Sequence, residues 1–375
     1  MKTKPMTKFA ILALSLVLVA CAGGGSEEAG CPAIDGREIN VVATTPMIGE
    51  FVSQVGGENI NLTVLMPPEA NPHTYEPAPQ DAGTIAEADL VFYTGLLYEP
   101  AALVKLLENS ACSTDILSEV GESVFPIEFK EGGHDDHDDH DDHDDHDDEE
   151  GHDDHDDEKD HDDEEGHDDH DDEEGHDDEE GHDDHDDEEG HDDHEGHNHG
   201  AYDPHFWFDP SRVAYAAEYI ESRLIQFDPE NESSYKSSAD SFVSELNDLT
   251  KQVSELISTV PSQNRKLITT HESLGYLEAK FGLEVLSTII PSLNSANEIS
   301  PSDLAGVIDV IEDNNVKVIF IESEAPSVYS ETIVAETGIK PVTGLYVETL
   351  KPGQSYSEFL ISNVKLITEN LQDTD

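Results

Sequence analysis

The chain has 375 residues, with 18 Lys and Arg against 87 Asp and Glu and a formal net charge of −69 at pH 7. Such an excess of acid leaves nothing to neutralise phosphates, so nucleic acid is excluded as a partner, and the surrounding field gathers cations instead. Much of the charge is local: 41 acids and one lysine fall between 134 and 199, which leaves 46 acids against 17 bases, net −29, for the remainder.

Residues 1–21 read as an export signal. Lys2, Lys4 and Lys8 precede an apolar run from Phe9 to Ala20 that is too short for a typical membrane span. The run ends at Leu18-Val19-Ala20-Cys21, and Gly23-Gly24-Gly25-Ser26 then supplies a flexible tether over 22–36. Either a cleaved signal or an uncleaved anchor puts the folded part outside the cytoplasm. There Cys31 and Cys112 can form a disulfide, although a pair of buried thiols satisfies the sequence as well.

Short β-branched runs at Ile39–Ala43, Ile60–Leu65 and Leu90–Tyr93 alternate with helical patterns at Met47–Val55, Gln80–Ala88 and Tyr98–Glu108. The same grammar returns after Pro261. Strands are expected at Lys266–Thr270, Glu284–Ile290, Val316–Ile321 and Lys340–Thr343, and helices at Leu274–Phe281, Pro301–Asn314, Ser327–Thr337 and Ser355–Asn370. Alternation of this kind predicts α/β architecture with parallel sheets, in two lobes at 37–228 and 261–375, and enough chain is present for separate cores. Between them, Asp228 as N-cap and Pro229 at the first helical position open a connecting helix over 229–260. Phe242, Leu246, Leu249, Val253, Leu256 and Val260 give it one apolar stripe.

The first lobe contains a low-complexity tract over 134–199, entered after a strand end near Phe129. Its histidines are His134, His137, His140, His143, His146, His152, His155, His161, His167, His170, His176, His182, His185, His191, His194, His197 and His199. With almost no apolar residue the tract cannot offset the entropy of ordering, and imidazoles spaced by acids make it a low-affinity metal-binding loop.

Three histidines lie outside the tract, each in a short motif. Asn71-Pro72-His73-Thr74-Tyr75-Glu76-Pro77 follows the second strand. Asp203-Pro204-His205-Phe206-Trp207-Phe208-Asp209-Pro210 precedes a helix capped by Asp209, and Thr270-His271-Glu272-Ser273-Leu274 closes the first strand of the second lobe. Ligands at carboxyl ends of strands, from both lobes, converge on an interlobe cleft, and neutral imidazole is the commonest protein ligand for zinc.

The three motifs, their order, the His-rich acidic insert and the small residue before Cys21 together resemble the metal-binding receptor lipoproteins of bacterial zinc and manganese ABC importers, the ZnuA and TroA type. That resemblance covers the chain after Gly36. It implies two lobes, each with a four-stranded parallel sheet flanked by helices, bridged by one long rigid helix with the metal in the cleft. Cys21 would be cleaved and acylated, giving a lipid-anchored monomer on the outer face of the membrane or in the periplasm, partnered by a permease and its ATPase. By motif, His73, His205 and His271 take the places of three family ligands. The fourth ligand is acidic in many relatives, and Glu348 in Gly344-Leu345-Tyr346-Val347-Glu348 falls at that point, with water as the alternative. Glu322 and Glu324 compete for the place but read as solvated loop acids, while Glu76 and Glu272 read as capping or supporting groups. Three imidazoles and one carboxylate favour Zn2+, ahead of Mn2+, Ni2+ and Co2+. A metal hydrolase is disfavoured because no motif supplies an additional general base. A surface zinc buffer or adhesin without a transporter stays open.

Overall fold

A computed structural model describes residues 31, 34, 36–129, 202–324 and 328–372. Cys21, the tether up to residue 30, the tract histidines and the helix start at Ser327 lie outside the described residues. Residues on either side of 133–198 belong to one compact unit.

The first half opens with β1 (Ile39–Ala43), α1 (Pro46–Gly56), β2 (Ile60–Val64), α2 (Pro79–Ala86), β3 (Leu90–Tyr93), α3 (Ala101–Ser110) and β4 (Leu117–Glu119). The four strands form one parallel sheet in the order β2-β1-β3-β4. The expected alternation is present, but β4 was not expected, since Leu-Ser-Glu is too short to carry a period. The strand anticipated near Phe129 is a single antiparallel bridge, Glu128 to Tyr202, which pairs the two stems of the tract. The third helix begins at Ala101 rather than Tyr98 because Pro100, its N-cap, disfavours helical backbone at the residue before it. A disulfide joins Cys31 to Cys112, with Cα atoms 5.1 Å apart.

Two helices follow, α4 (Pro210–Phe227) and α5 (Glu232–Ser258). The long helix starts three residues later than expected, after a 3-10 turn at Pro229–Asn231. Asp228 makes no side-chain bond to that turn's backbone; its carboxylate accepts instead from Asn231 Nδ2 and from the Tyr235 hydroxyl. At 27 residues α5 is about 40 Å long. Its buried stripe is Tyr235, Ala239, Phe242, Leu246, Leu249, Val253 and Ile257, so Ile257 rather than Leu256 continues the inward face.

The second half comprises β5 (Lys266–His271), α6 (Gly275–Phe281), β6 (Glu284–Ile290), α7 (Pro301–Asp313), β7 (Val318–Glu322), α8 (Val328–Thr337), β8 (Lys340–Leu345) and α9 (Tyr356–Gln372). All its strands pair in parallel, in keeping with the α/β fold. The pairing makes two two-stranded sheets, β5-β6 and β7-β8, where one continuous four-stranded sheet was expected. Strands β5 and β7 still lie side by side, joined through side chains: Glu322 N–H donates to Thr270 Oγ1 (3.0 Å) and His271 N–H to Glu322 Oε1 (3.1 Å).

Helix α5 packs on α1 and α4 of the first half and on α6 and α9 of the second. Its stripe belongs to one apolar cluster that also holds Phe51, Phe92 and Trp207 on one side and Leu277, Phe320 and Phe359 on the other, so the two halves share a main core. Smaller clusters fill the outer layers around Val91 and Leu103 and around Ile289 and Ile319. A core continuous through α5 resists hinge motion, because opening the halves would expose buried apolar area.

Candidate metal centre

His73, His205, His271 and Glu348 come together from four separate segments. One ligand atom from each lies within 4.8 Å of all the others. His73 sits in a 3-10 turn, Pro72–Thr74, whose first residue is proline and whose N-cap Asn71 accepts from the His73 N–H. The Asn71 amide also donates to Ser295 Oγ and to the Glu324 carbonyl, fastening this loop to the second half. His205 stands in the loop before α4, which is capped by Asp209 with Pro210 at its first position, and His271 is the last residue of β5. Glu348 lies in the loop between β8 and α9. His205, His271 and Glu348 are fully buried, and the His73 side chain is 3% exposed.

Each imidazole presents Nε2 to the Glu348 carboxylate. His73 and His271 lie 3.0 and 2.9 Å from Oε1, and His205 lies 3.5 Å from Oε2. Atoms bonded to one ion at about 2.1 Å are themselves roughly 3–3.5 Å apart, so these spacings fit a shared cation. On the far side of two rings the Nδ1 atoms are committed: His205 Nδ1 is 2.8 Å from Asp203 Oδ1, and His271 Nδ1 makes a short contact with Glu322 Oε2. A carboxylate on Nδ1 holds the proton there and turns the Nε2 lone pair inward, the arrangement that orients metal-bound histidines. The Nε2 atoms of His205 and His271 are buried and have no hydrogen-bond partner. Two buried lone pairs facing a carboxylate repel it unless a proton or a metal ion lies between them, and the donor set of three nitrogens and one oxygen fits a divalent ion.

The charges respond accordingly. For Glu348, burial alone would raise the carboxyl, but His73 and His271 outweigh it and hold it well below the usual range. Burial would lower His205, yet the Asp203 hydrogen bond and the Glu348 charge carry it up to about 8. His271 follows the same pattern, with Glu322 and Glu348 overriding burial and raising it well above its ordinary value.

The acids that competed for the fourth place have other work. Glu322 is 2% exposed and sits at the end of β7, so it is a buried partner of His271 and not a solvated loop acid. Glu324 is half-buried; its Oε1 accepts from the N–H groups of Val347 and Glu348, and burial followed by the charges of Glu348 and Glu322 raises it to about 8. Glu76 is exposed, and Glu272 accepts from Thr288 Oγ1. The sequence places Trp207 two residues from His205, but sequence reasoning missed the other buried aromatic donors around the centre. Tyr98 donates to Glu348, Trp207 Nε1 to the Val347 carbonyl (2.8 Å), Tyr276 to the Asp203 carbonyl (2.9 Å) and Tyr356 to the Trp207 carbonyl (2.6 Å). The proline after Glu99 was the available signal for Tyr98, because it displaces the tyrosine from the helix. Gly275, opening α6, is required for a steric reason: a Cβ there would stand 2.7 Å from Asp203 Oδ2.

Residues 41–370 match the family described as zinc-uptake complex component A, periplasmic. The chain belongs to this family. A component of an uptake complex carries its metal as cargo, and the chain is not an enzyme. Among curated members, the manganese ABC transporter substrate-binding lipoprotein PsaA of Streptococcus anginosus is 23% identical over 98% of this chain and 99% of its own length. The manganese-binding lipoprotein MntA of Halalkalibacterium halodurans is 21% identical over 95% of this chain and 94% of its own. Among solved structures, the periplasmic zinc-binding protein TroA of Treponema pallidum superposes with a TM-score of 0.66 at 19% identity, covering 89% of this chain and 99% of TroA. That likeness carries the fold: parallel strands flanked by helices, as the sequence predicted.

Proposed function

We propose that this protein is the extracytoplasmic receptor of a zinc ABC importer, holding one Zn2+ on His73, His205, His271 and Glu348 and presenting it to a permease driven by an ATPase. The observation that carries the reading is the pair of buried, unpartnered Nε2 atoms turned toward a buried carboxylate by Asp203 and Glu322. Three imidazoles with one carboxylate suit zinc's borderline softness. Tethering at Cys21 in the manner of the lipoprotein relatives keeps the receptor at the outer membrane face, and the tract histidines add weak sites that concentrate cations near it. No described helix is long and apolar enough to cross a membrane.

The test is zinc titration of the full chain against a competing chelator, which strips weak sites and leaves the tight one, read by Trp207 fluorescence. Trp207 is the only tryptophan, and its ring centroid lies 5.4 Å from that of His205. One chelator-resistant zinc, lost in His73→Ala, His205→Ala, His271→Ala and Glu348→Gln, is expected. Retention in any one variant removes that residue from the centre. The names of the curated relatives favour a second reading, manganese as cargo; because zinc outbinds manganese at most nitrogen-rich sites, it prevails if cells lacking the protein lose manganese uptake and keep zinc uptake.

A further inference from the structure

Tyr98 touches the candidate centre through Glu348, and the fold goes to unusual lengths to keep it there. Its hydroxyl lies 3.0 Å from Glu348 Oε2 and 3.0 Å from the Glu348 carbonyl oxygen. A phenol has one hydrogen, and the charged carboxylate is the stronger acceptor of the two. The carboxylate is therefore divided: Oε1 lies 3.0 and 2.9 Å from His73 and His271, while Oε2 is farther from its imidazole, 3.5 Å from His205, and also accepts from Tyr98.

The ring cannot turn away. It is 1% exposed and packed edge-on against His73, His205 and Trp207, with centroids 5.0, 5.8 and 5.3 Å away. Before it, Gly95, Leu96 and Leu97 all take left-handed backbone, with φ of 76°, 53° and 61°. That conformation is uncommon outside glycine and persists only where the surroundings dictate it, most often at functional sites. Two carboxylates dictate it here. Glu99 accepts from Thr44 Oγ1 and from the N–H groups of Thr94 and Gly95, and Glu119 accepts from the Leu96 N–H.

We propose that Tyr98 determines metal choice at this centre: by donating to Oε2 it withholds that oxygen from the ion, so Glu348 binds through Oε1 alone and the site closes at three nitrogens and one oxygen. This rests on reading the four residues as the metal site. Zinc accepts four ligands in a tetrahedron, whereas an ion that prefers oxygen and higher coordination, such as manganese, gains from a two-oxygen carboxylate. A positioning residue of this kind selects by what it denies the cargo.

The experiment uses the full chain loaded with one chelator-resistant equivalent of Co2+, whose visible bands are intense when four-coordinate and several-fold weaker at five or six. Wild-type protein shows the intense bands. Tyr98→Phe, which removes only the hydroxyl, weakens them, and the preference for zinc over manganese in competition falls by about tenfold, the smaller end of what losing a ligand's hydrogen-bond partner does. Weak bands in the wild type overturn the proposal without any variant, which keeps it testable if Tyr98→Phe misfolds. So does a Tyr98→Phe protein whose spectrum and zinc preference match the wild type. Failure of the site itself looks different: the wild type then holds no chelator-resistant cobalt or zinc, or His73→Ala leaves the cobalt spectrum unchanged, and the Tyr98 assignment falls with it.

Discussion

In the first half, β2, β1, β3 and β4 share an unbroken parallel ladder, and His73 stands beyond it in a turn fastened by Asn71; in the second half the ladder is interrupted between β5 and β7, and the seam is closed by side chains. Glu322 is central to that seam. It accepts from the His271 N–H, contacts His271 Nδ1, and its own N–H donates to Thr270. One carboxylate thus replaces missing ladder bonds and orients an imidazole. The comparison teaches that the first half could lose its histidine and keep its sheet, whereas in the second half the metal centre and the sheet seam are the same contacts.

The sharpest way to break this contrast is Glu322→Ala. Removing one partner of a buried charged pair costs about 3–5 kcal/mol, so urea unfolding of the metal-free protein should shift far more than for Asn71→Ala. Equal shifts would dissolve the distinction. The next effect tests the first half alone. Cys31 and Cys112 close a loop with a sequence separation of 81, and Cys112→Ser should lower unfolding free energy by about 2–4 kcal/mol. Zinc affinity should stay unchanged, since both cysteines pack against the outer cluster around Val91 and Leu103; a parallel loss of affinity would show that the disulfide positions the site.

Affinity itself provides a third measurement. Asp203→Asn and Glu322→Gln keep the shape but weaken the hold on Nδ1, and each should cost about 10–100-fold in zinc affinity by chelator competition. Asn71→Ala, a cap worth about 1 kcal/mol, should cost less than either.

A fourth measurement is the effect of pH on the metal-free protein. His205 rises from 6.5 to about 8 in the fold, so its contribution is fully present below about 6.5 and is lost as pH rises through 8. Glu324, raised from 4.5 to about 8, acts in the same direction over a wider window. Thermal unfolding of the metal-free chain should therefore fall in temperature between about pH 6.5 and 8.5. Zinc must displace the same proton from His205, so zinc affinity should rise over that interval. Parallel trends with and without zinc would place the titrating proton elsewhere.

Much of the fold was legible because its signals are local. Alternating β-branched runs and helical patterns gave seven of the eight described strands, and Asp209 with Pro210 marked the start of α4 as expected. The three histidines outside the tract are the ones that the structure gathers, because a stiff proline-flanked loop or a strand end is a local property too. Other features needed contacts distant in sequence. β4 is three residues long and exists through its pairing with β3. Glu322 and Glu324 read as solvated acids because nothing near them in sequence reveals that β5 covers the end of β7 or that the loop after β8 folds over Glu324.

By itself, then, the sequence determined the kinds of elements, the acidic and exported character, and which imidazoles were available, since backbone preference, hydrophobic period and ligand chemistry belong to residues and their near neighbours. The tertiary structure decided which of three acids faces those imidazoles, which carboxylate holds each Nδ1, and that Tyr98 reaches Oε2 across a separation of 250 residues. The physical reason is that the charge state and role of a buried group are set by what surrounds it, and at this centre the surroundings come from four segments that meet only when the chain is folded.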